Sequence, residues 1–440
     1  MLNKKEKSTV LSPLQEKNSF RTFLEKNGTK TVFASLLSIL IGMAVGSIVV
    51  IIVGLTSDTI SVKEMFNGIK LVFLGVFSTG KNATGGLTFG FNPSNFGDML
   101  FRATPIIMTG LSVAVAFKTG LFNIGASGQY LIGTAATLYI ALSIPTSKVP
   151  AFIVWILAFL GGMLAGAAWG SIPGLLKAFL NINEVISCIM TNWIAATLVT
   201  WFFDQNGQLK NASEAGKVQF ICKTTANGVS TSKMFLDRIF PNSQVNGGII
   251  IAIIIALIVY VFMEKTTLGY ELKACGANRH AAKYAGINDK RNIVLSMAIA
   301  GALSGGAAAL YYLSGNTEFA WETYQSLPSE GFNGIPVALL AASNPIAAIF
   351  SGCFMSMLNI SGLQIKNLTS YNEYVTDIII AVIVYLSAFS LLLKTVIEKI
   401  IAGRHAEGTP IPQRVSESEN GVQSEISDPD IGGGEAEKEE

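Results

Sequence analysis

Polar side chains set at helical spacing inside apolar sequence are the residues of this chain best placed to do chemistry. Asn123, Ser127 and Gln129 stand at a glycine-broken entry to one apolar run, and Asn181, Asn183, Glu184, Ser187, Thr191 and Asn192 lead into another. Positions 184, 187, 188, 191 and 192 fall on one helical face, so a helix there turns them toward a bundle interior or an aqueous cavity. Amides and hydroxyls in such a place can bind an uncharged polar solute, and they can equally bond from helix to helix. Trp193, Trp201, Tyr311 and Tyr312 could stack a ring, although a belt at the membrane interface explains them more simply. Ionisable groups within the apolar runs are few: Glu184 at one entrance, Asp377 near the start of another, and Arg102 near an end. A charge at the bilayer centre costs about 2.5 to 3.5 kcal/mol on insertion scales, so interfacial anchoring is the simpler role for these three. The lack of a buried acid chain argues against an ion-coupled carrier.

Enzymatic chemistry finds little support. The only histidines are His280 and His405, and Cys188, Cys222, Cys275 and Cys353 are scattered without a CxxC pair. Neither a zinc or other metal site nor a disulfide framework is expected, and no catalytic residue is assigned. A near P-loop runs from Gly75 through Gly80 and Lys81, but Asn82 replaces the hydroxyl that would hold Mg²⁺, and no strand-loop-helix context is apparent. No other stretch offers a nucleotide-hydrolysis site. If ATP drives this protein, the ATPase is a different chain.

The elements that must position these groups are membrane spans. Half of the 440 residues are hydrophobic, 14% are charged, and the mean hydropathy is +0.49. Such a composition describes an all-α, polytopic membrane protein. Apolar runs at 31–53, 106–116, 131–144, 151–168, 185–203, 247–263, 293–313, 335–342, 346–360 and 375–396 predict about ten spans, several short or broken. Basic residues gather in the lead of residues 1–30 and again around 265–291, and both clusters are expected on the cytoplasmic side, with six spans between them. Four further spans return the tail to the same side. The long lead without a small-residue cleavage site argues against a removed signal peptide, so the first run is read as a permanent span.

The transmembrane domain is expected over 31–402, with external loops at 54–101 and 204–246; the latter could cap a pore or meet an external partner. Residues 403–440, rich in Glu, Ser, Gly and Pro, should form a disordered acidic tail. One internal echo, Gly120-Leu-Phe-Asn-Ile-Gly125 against Gly331-Phe-Asn-Gly-Ile335, admits an internal two-fold repeat, with chance as the alternative. The small-residue runs 161–168 and 300–309 are read as packing devices that let helices approach closely.

Between the sixth and seventh spans lies a polar segment, residues 268–287. Asn278 can cap a helix N-terminus, Arg279 to Ala285 are mostly tolerable or good helix formers, and Gly286 suits the left-handed C′ position. About two turns result, roughly 11 Å. A stub this short needs a surface to dock against, because helix nucleation is costly.

Four motifs, in order, carry a family likeness: Phe117-Lys-Thr-Gly-Leu-Phe-Asn-Ile-Gly-Ala-Ser-Gly-Gln129, Asn183-Glu-Val-Ile-Ser-Cys-Ile-Met-Thr-Asn-Trp-Ile-Ala195, the 268–287 segment, and Gly331-Phe-Asn-Gly-Ile-Pro-Val-Ala-Leu-Leu340 with Asn344-Pro345. Together they resemble bacterial ABC-importer permeases of the nucleoside and simple-sugar group, nearest to the nucleoside permeases that work with a basic-membrane-protein-type lipoprotein. The resemblance implies a subunit of the bacterial cell membrane that binds no cofactor itself, and the charge pattern puts both termini on the cytoplasmic side. Its partners would be a cytoplasmic ABC ATPase holding ATP and Mg²⁺, a second identical or related permease, and an extracellular binding lipoprotein; no nucleic acid is implied. It also implies that 271–287 is the coupling helix fitting the ATPase cleft, with Glu271, Ala274, Gly276, Asn278, Arg279, Ala281, Ala282, Lys283 and Gly286 as coupling residues. Asn123, Ser127, Gln129, Glu184, Ser187, Asn192 and Asn333 would lie on the translocation path. The chain departs from the family pattern at Ser127, where an acid is usual, and at Asn333, where Asp is common. A pentose importer, or an ion-coupled secondary carrier, is the alternative reading.

Overall fold

The computed structural model describes residues 27–57, 60–211, 220–320 and 326–372, with 374, 377–379, 381, 382 and 385. Most of the basic lead, the acidic tail and most of the last expected span lie outside the described residues. The helices are α1 (Asn27–Thr56), α2 (Val62–Leu74), α3 (Pro93–Lys118), α4 (Ala126–Ser143), α5 (Ala151–Leu180), α6 (Glu184–Gln205), the single turn α7 (Leu236–Ile239), α8 (Gly248–Lys265), α9 (Thr267–Ala277), α10 (Arg279–Tyr284), α11 (Asp289–Tyr312), α12 (Ser329–Leu340) and α13 (Pro345–Leu368). Two small antiparallel pairs accompany them, β1 (Ser78–Lys81) with β2 (Leu87–Phe89) and β3 (Phe220–Ile221) with β4 (Phe319–Ala320). Among the described residues, six helices, α3, α5, α6, α8, α11 and α13, are long and apolar enough to cross a membrane. The near P-loop runs through a 3₁₀ turn into β1 and on to the β-turn, and no helix starts at Asn82.

The centre of the bundle is α3 and α11, which bury most of their length, whereas α5 buries only a narrow stripe. That stripe is a glycine ladder. Gly162, Gly166 and Gly170 of α5 lie against Gly301 and Gly305 of α11 so closely that a Cβ on Gly166 would stand 3.0 Å from the Gly305 backbone nitrogen. Four-residue spacing keeps these glycines on one face, and dispersion between the close backbones replaces the missing side chains. The small-residue runs are the packing device their composition predicts.

Polar bonds divide the bundle into two ends. At one, here the basic end, Lys118 at the close of α3 and Lys273 of α9 reach Glu264 of α8 at 3.5 and 2.7 Å, and Lys177 of α5 meets Glu184 of α6 at 3.0 Å. At the other end, Asn227 Nδ2 donates to the Ala141 and Ile144 carbonyls, Thr231 N–H to Leu313 O, and Ser94 Oγ to Asn242 O. The described residues 227–242 of the 204–246 segment therefore lie over the ends of α3, α4 and α11. Each junction agrees with α3, α4, α5, α6, α8 and α11 crossing in alternate directions.

One expected span takes a different form. The run 335–342 belongs to α12, whose 12 residues make about 18 Å of helix against a hydrocarbon core of about 30 Å. α12 starts against α3 and α4, where Thr109 Oγ1 of α3 donates to Glu330 O at 2.9 Å and Ser127 Oγ of α4 donates to Pro328 O at 3.0 Å. It ends in a turn where Ala342 and Ser343 take positive φ (46° and 56°), and the chain reverses into α13, capped by Asn344. The turn closes through its own backbone, with Ser343 N–H donating to Ala338 O and Asn344 N–H to Ala341 O, while Ala342 and Asn344 are exposed. Gly331 of the second echoed motif packs on Ser127, two residues beyond the end of the first. The two motifs do not share a conformation: 120–125 is a non-helical lead into α4, while 331–335 is already within α12.

Candidate functional site

A cavity of about 700 Å³ opens between α3, the end of α11, α12, α13 and the helical residues near 374–385. α3 contributes Arg102, α12 contributes Glu330, Phe332 and Asn333, and α13 contributes Asn359 and Lys366; Asp377 lies on the remaining wall. Two cations face two carboxylates, so the wall carries charge without a net sign. Amides beside aromatic rings suit an uncharged polar solute with a planar ring better than an ion. Tyr311 lines the same space and stacks on Phe101 with ring centroids 5.4 Å apart. Glu330 sits in the first turn of α12, where the free N–H groups and the helix dipole favour a carboxylate.

Arg102 and Asp377, for which anchoring was the simpler expectation, both line this cavity. Glu330, Asn359 and Lys366 were not singled out in the sequence. A signal existed for two of them, because 359, 362, 363 and 366 repeat at i, i+3, i+4 and i+7 and all four line the cavity.

Of the residues assigned to the path by resemblance, only Asn333 lines the cavity. Asn123 and Gln129 instead form a reciprocal amide pair, Nδ2 to Oε1 at 2.8 Å and Nε2 to Oδ1 at 3.0 Å, and Asn123 also donates to Ser112 Oγ at 3.1 Å. Ser112 passes the bond on to Ala300 O at 2.6 Å. Asn192 Oδ1 accepts from Gly128 N–H at 2.9 Å, while its Nδ2 donates to Ile124 O at 3.0 Å. Ser127 is buried against Pro328, Ser187 bonds back to Asn183 O, and Glu184 is held by Lys177. The predicted polar face does turn inward: 187, 188, 191 and 192 are all buried. It meets protein rather than open space, and every amide in it finds a partner. In a low-dielectric interior, a satisfied network of this kind fixes the path of the 119–125 lead. Trp193 and Trp201 lie exposed on the outer face of α6, and Tyr312 is buried.

At the basic end, the polar segment is two helices rather than one. Glu271, Ala274 and Gly276 belong to α9; Asn278 caps α10, which holds Arg279, Ala281, Ala282 and Lys283. Asn278 Oδ1 accepts from Ala281 N–H at 3.0 Å, and Gly286, at φ 82°, lets Ile287 N–H reach Ala282 O. The cap and the stop are as the sequence predicts. Several of the residues face their own chain. A Cβ on Gly276 would lie 2.9 Å from Gly120 N and Thr119 C, and nearer still to Lys118 O. Glu271 accepts from Arg291 Nη2 at 2.7 Å and Asn292 Nδ2 at 3.2 Å, and Arg279 Nε donates to Asp289 Oδ2 at 2.8 Å. Ala282 is buried, while Ala281 and Lys283 are exposed. Tyr284, the sole aromatic of 279–287, is 94% exposed at the end of α10. An aromatic left in water on a braced helix is a ready anchor for a partner.

Residues 95–388 match the family described as branched-chain amino acid transport system / permease component. The guanosine ABC transporter permease protein NupP of Bacillus subtilis (strain 168) is 32% identical over 83% of this chain and 95% of its own length. The nucleoside ABC transporter permease protein NupB of Lactococcus lactis subsp. cremoris (strain MG1363) is 34% identical, over 73% of this chain and 91% of its own. The glucose ABC transporter permease protein TsgB13 of Haloferax volcanii is 30% identical over 66% and 76%. No solved structure matches the chain. With a multi-helical membrane bundle and relatives aligned over nearly their whole length, the chain belongs to this family of transport-system permease components, and it is a transport subunit rather than an enzyme.

Proposed function

We propose that this chain forms the translocation path of an ATP-driven nucleoside importer in the bacterial cell membrane. Its basic end and both termini face the cytoplasm, where α9 and α10 dock on a separate ABC ATPase that holds ATP and Mg²⁺. A second permease, identical or related, completes the path, and an extracellular binding lipoprotein delivers the solute. The observation that carries the reading is the cavity, with balanced charge, amides at Asn333 and Asn359 and rings at Tyr311 and Phe332. Relatives named for guanosine and nucleoside transport support that substrate class, and the relative named for glucose supports a simple-sugar alternative.

Motion would enter where Gly276 of α9 rests on the Lys118–Gly120 backbone. From there, α3 and the 119–125 lead carry it to Thr109 and Ser127, which hold the start of α12 and so the Glu330 and Asn333 wall. ATP binding then biases a rigid-body change between outward and inward states.

Uptake of radiolabelled guanosine by cells expressing the whole system tests the reading. Uptake should vanish when the partner ATPase is deleted, persist when ionophores collapse ion gradients, and be competed by unlabelled nucleosides. Competition by pentoses or glucose with none by nucleosides would transfer the assignment to sugars. Uptake that survives loss of the ATPase but fails with the ion gradient would sink it.

A further inference from the structure

A second groove, about 650 Å³, lies at the basic end on the outside of the bundle, away from the translocation cavity. Its walls are apolar: Leu175 and Phe179 from α5, Leu268 from α9, and Val294 and Leu295 from α11. Its rim is basic, with Lys290 and Arg291 one helical turn from Val294 and Leu295. Lys290 Nζ stands 5.2 Å from the Phe179 ring centroid, which draws the ammonium toward the groove mouth. Nearby carboxylates are already engaged. Glu271 holds Arg291 and Asp289 holds Arg279, so Lys283 and Lys290 have no ion pair among the described residues. The rim therefore keeps a surplus of positive charge above an apolar slot that Phe179, 63% exposed, leaves open to the bilayer.

From this juxtaposition we propose a binding site for an anionic glycerophospholipid, with its phosphate at Lys290 and Arg291 and an acyl chain along Leu175, Phe179, Val294 and Leu295. The charge fixes the headgroup class, and the apolar walls require a chain rather than a soluble anion. Basic pockets between spans on the side rich in anionic lipid follow the same logic. Because Leu268 lies in the first turn of α9, a seated chain braces the helix that carries Gly276. The site stands on this groove alone and does not depend on which solute the permease carries.

Native mass spectrometry of the full chain, released from detergent after equilibration with phosphatidylglycerol or phosphatidylcholine of identical chains, tests it. The wild type should retain phosphatidylglycerol about fivefold better, equivalent to about 1 kcal/mol for one basic side chain at a membrane surface. Lys290→Gln should bring the preference within twofold of unity, Lys290→Arg should restore it, and Val294→Trp, which fills the slot, should lower retention of both lipids. Thermal unfolding run in parallel confirms that each variant is folded. Equal retention of the two lipids by the wild type, or an unchanged preference in Lys290→Gln, overturns the proposal. So does displacement of the lipid by millimolar inorganic phosphate or glycerol 3-phosphate, since the site would then read a free anion.

Discussion

Replacing Gly276 by alanine should uncouple ATP hydrolysis from transport. The added Cβ would stand 2.9 Å from both Gly120 N and Thr119 C, and ordinary contact begins at 3.4 Å, so the two backbones must separate by at least half an ångström. The carbonyl oxygen of Lys118 demands a larger shift. None of these atoms is a side chain that could rotate away. Overpacking of this kind costs about 1 to 3 kcal/mol. If that penalty falls on one of the two transport states, the balance between them moves by about 5- to 150-fold. Proteoliposomes holding the assembled transporter report solute uptake and ATP hydrolysis from one preparation, and the ratio of uptake to hydrolysis should fall at least fivefold. Gly85→Ala, in the β1–β2 turn and outside the coupling segment, is the control. It too breaks a glycine, at φ 73°, but nothing lies within 4 Å of its Cβ. It should cost about 1 to 2 kcal/mol of local strain and leave the ratio within twofold of wild type. A wild-type ratio in Gly276→Ala would refute the reasoning, because the contact would then be packing without consequence for coupling.

Two further outcomes follow from the same geometry. Tyr284→Ala should weaken association with the partner ATPase by about 30-fold, the loss of a typical aromatic hot spot of about 2 kcal/mol, read as the dissociation constant of the purified complex; unchanged affinity would remove Tyr284 from the interface. Asn123→Ala leaves the Gln129 amide unpaired in a buried site, so the chain in detergent should lose about 1 to 3 kcal/mol of stability, and the added change Gln129→Ala should cost much less than it does alone; additive losses would show that the amide pair is not a unit.

How much of this was legible in the sequence depends on whether the deciding interaction is local. The Asn278 cap, the Gly286 stop and the four-residue glycine spacing of α5 are set by neighbours in the chain, and all three could be read there. The polytopic character came through because a bilayer demands long apolar runs whatever packs beside them, although six described helices rather than ten are long and apolar enough to cross. The run 335–342 misled for the same reason: it is apolar, but α12 has only 12 residues and begins where Thr109 and Ser127 bond the carbonyls of Glu330 and Pro328. Polar residues were harder still. Composition distinguishes Asn123 from a leucine, yet it cannot say whether an amide faces water or another amide, and here Gln129 answers it. Arg102 and Asp377 sit near span ends, where a membrane anchor and a cavity wall look alike until α12 and α13 are placed between them.

The glycine contacts also constrain how the cavity can change shape. α12 is clasped at two points, by Gly331 on Ser127 and by Gly334 on Thr109, where a Cβ on Gly334 would lie 2.6 Å from the Thr109 carbonyl carbon. Each contact is backbone to backbone and each is doubled by a hydroxyl bond, from Ser127 to Pro328 O and from Thr109 to Glu330 O. Close-packed joints of this kind have discrete arrangements rather than a soft range. Sliding α12 alone would strand the carbonyls of Pro328 and Glu330 in a low-dielectric interior, at about 1 to 3 kcal/mol for each lost partner. Moving α12 together with α3 and the first turn of α4 breaks neither bond. The lower-cost motion is therefore the block, and the block ends at Lys118–Gly120, the stretch on which Gly276 of α9 rests. In that geometry, a displacement applied at α9 reaches Glu330 and Asn333 without any residue of the coupling segment touching the cavity.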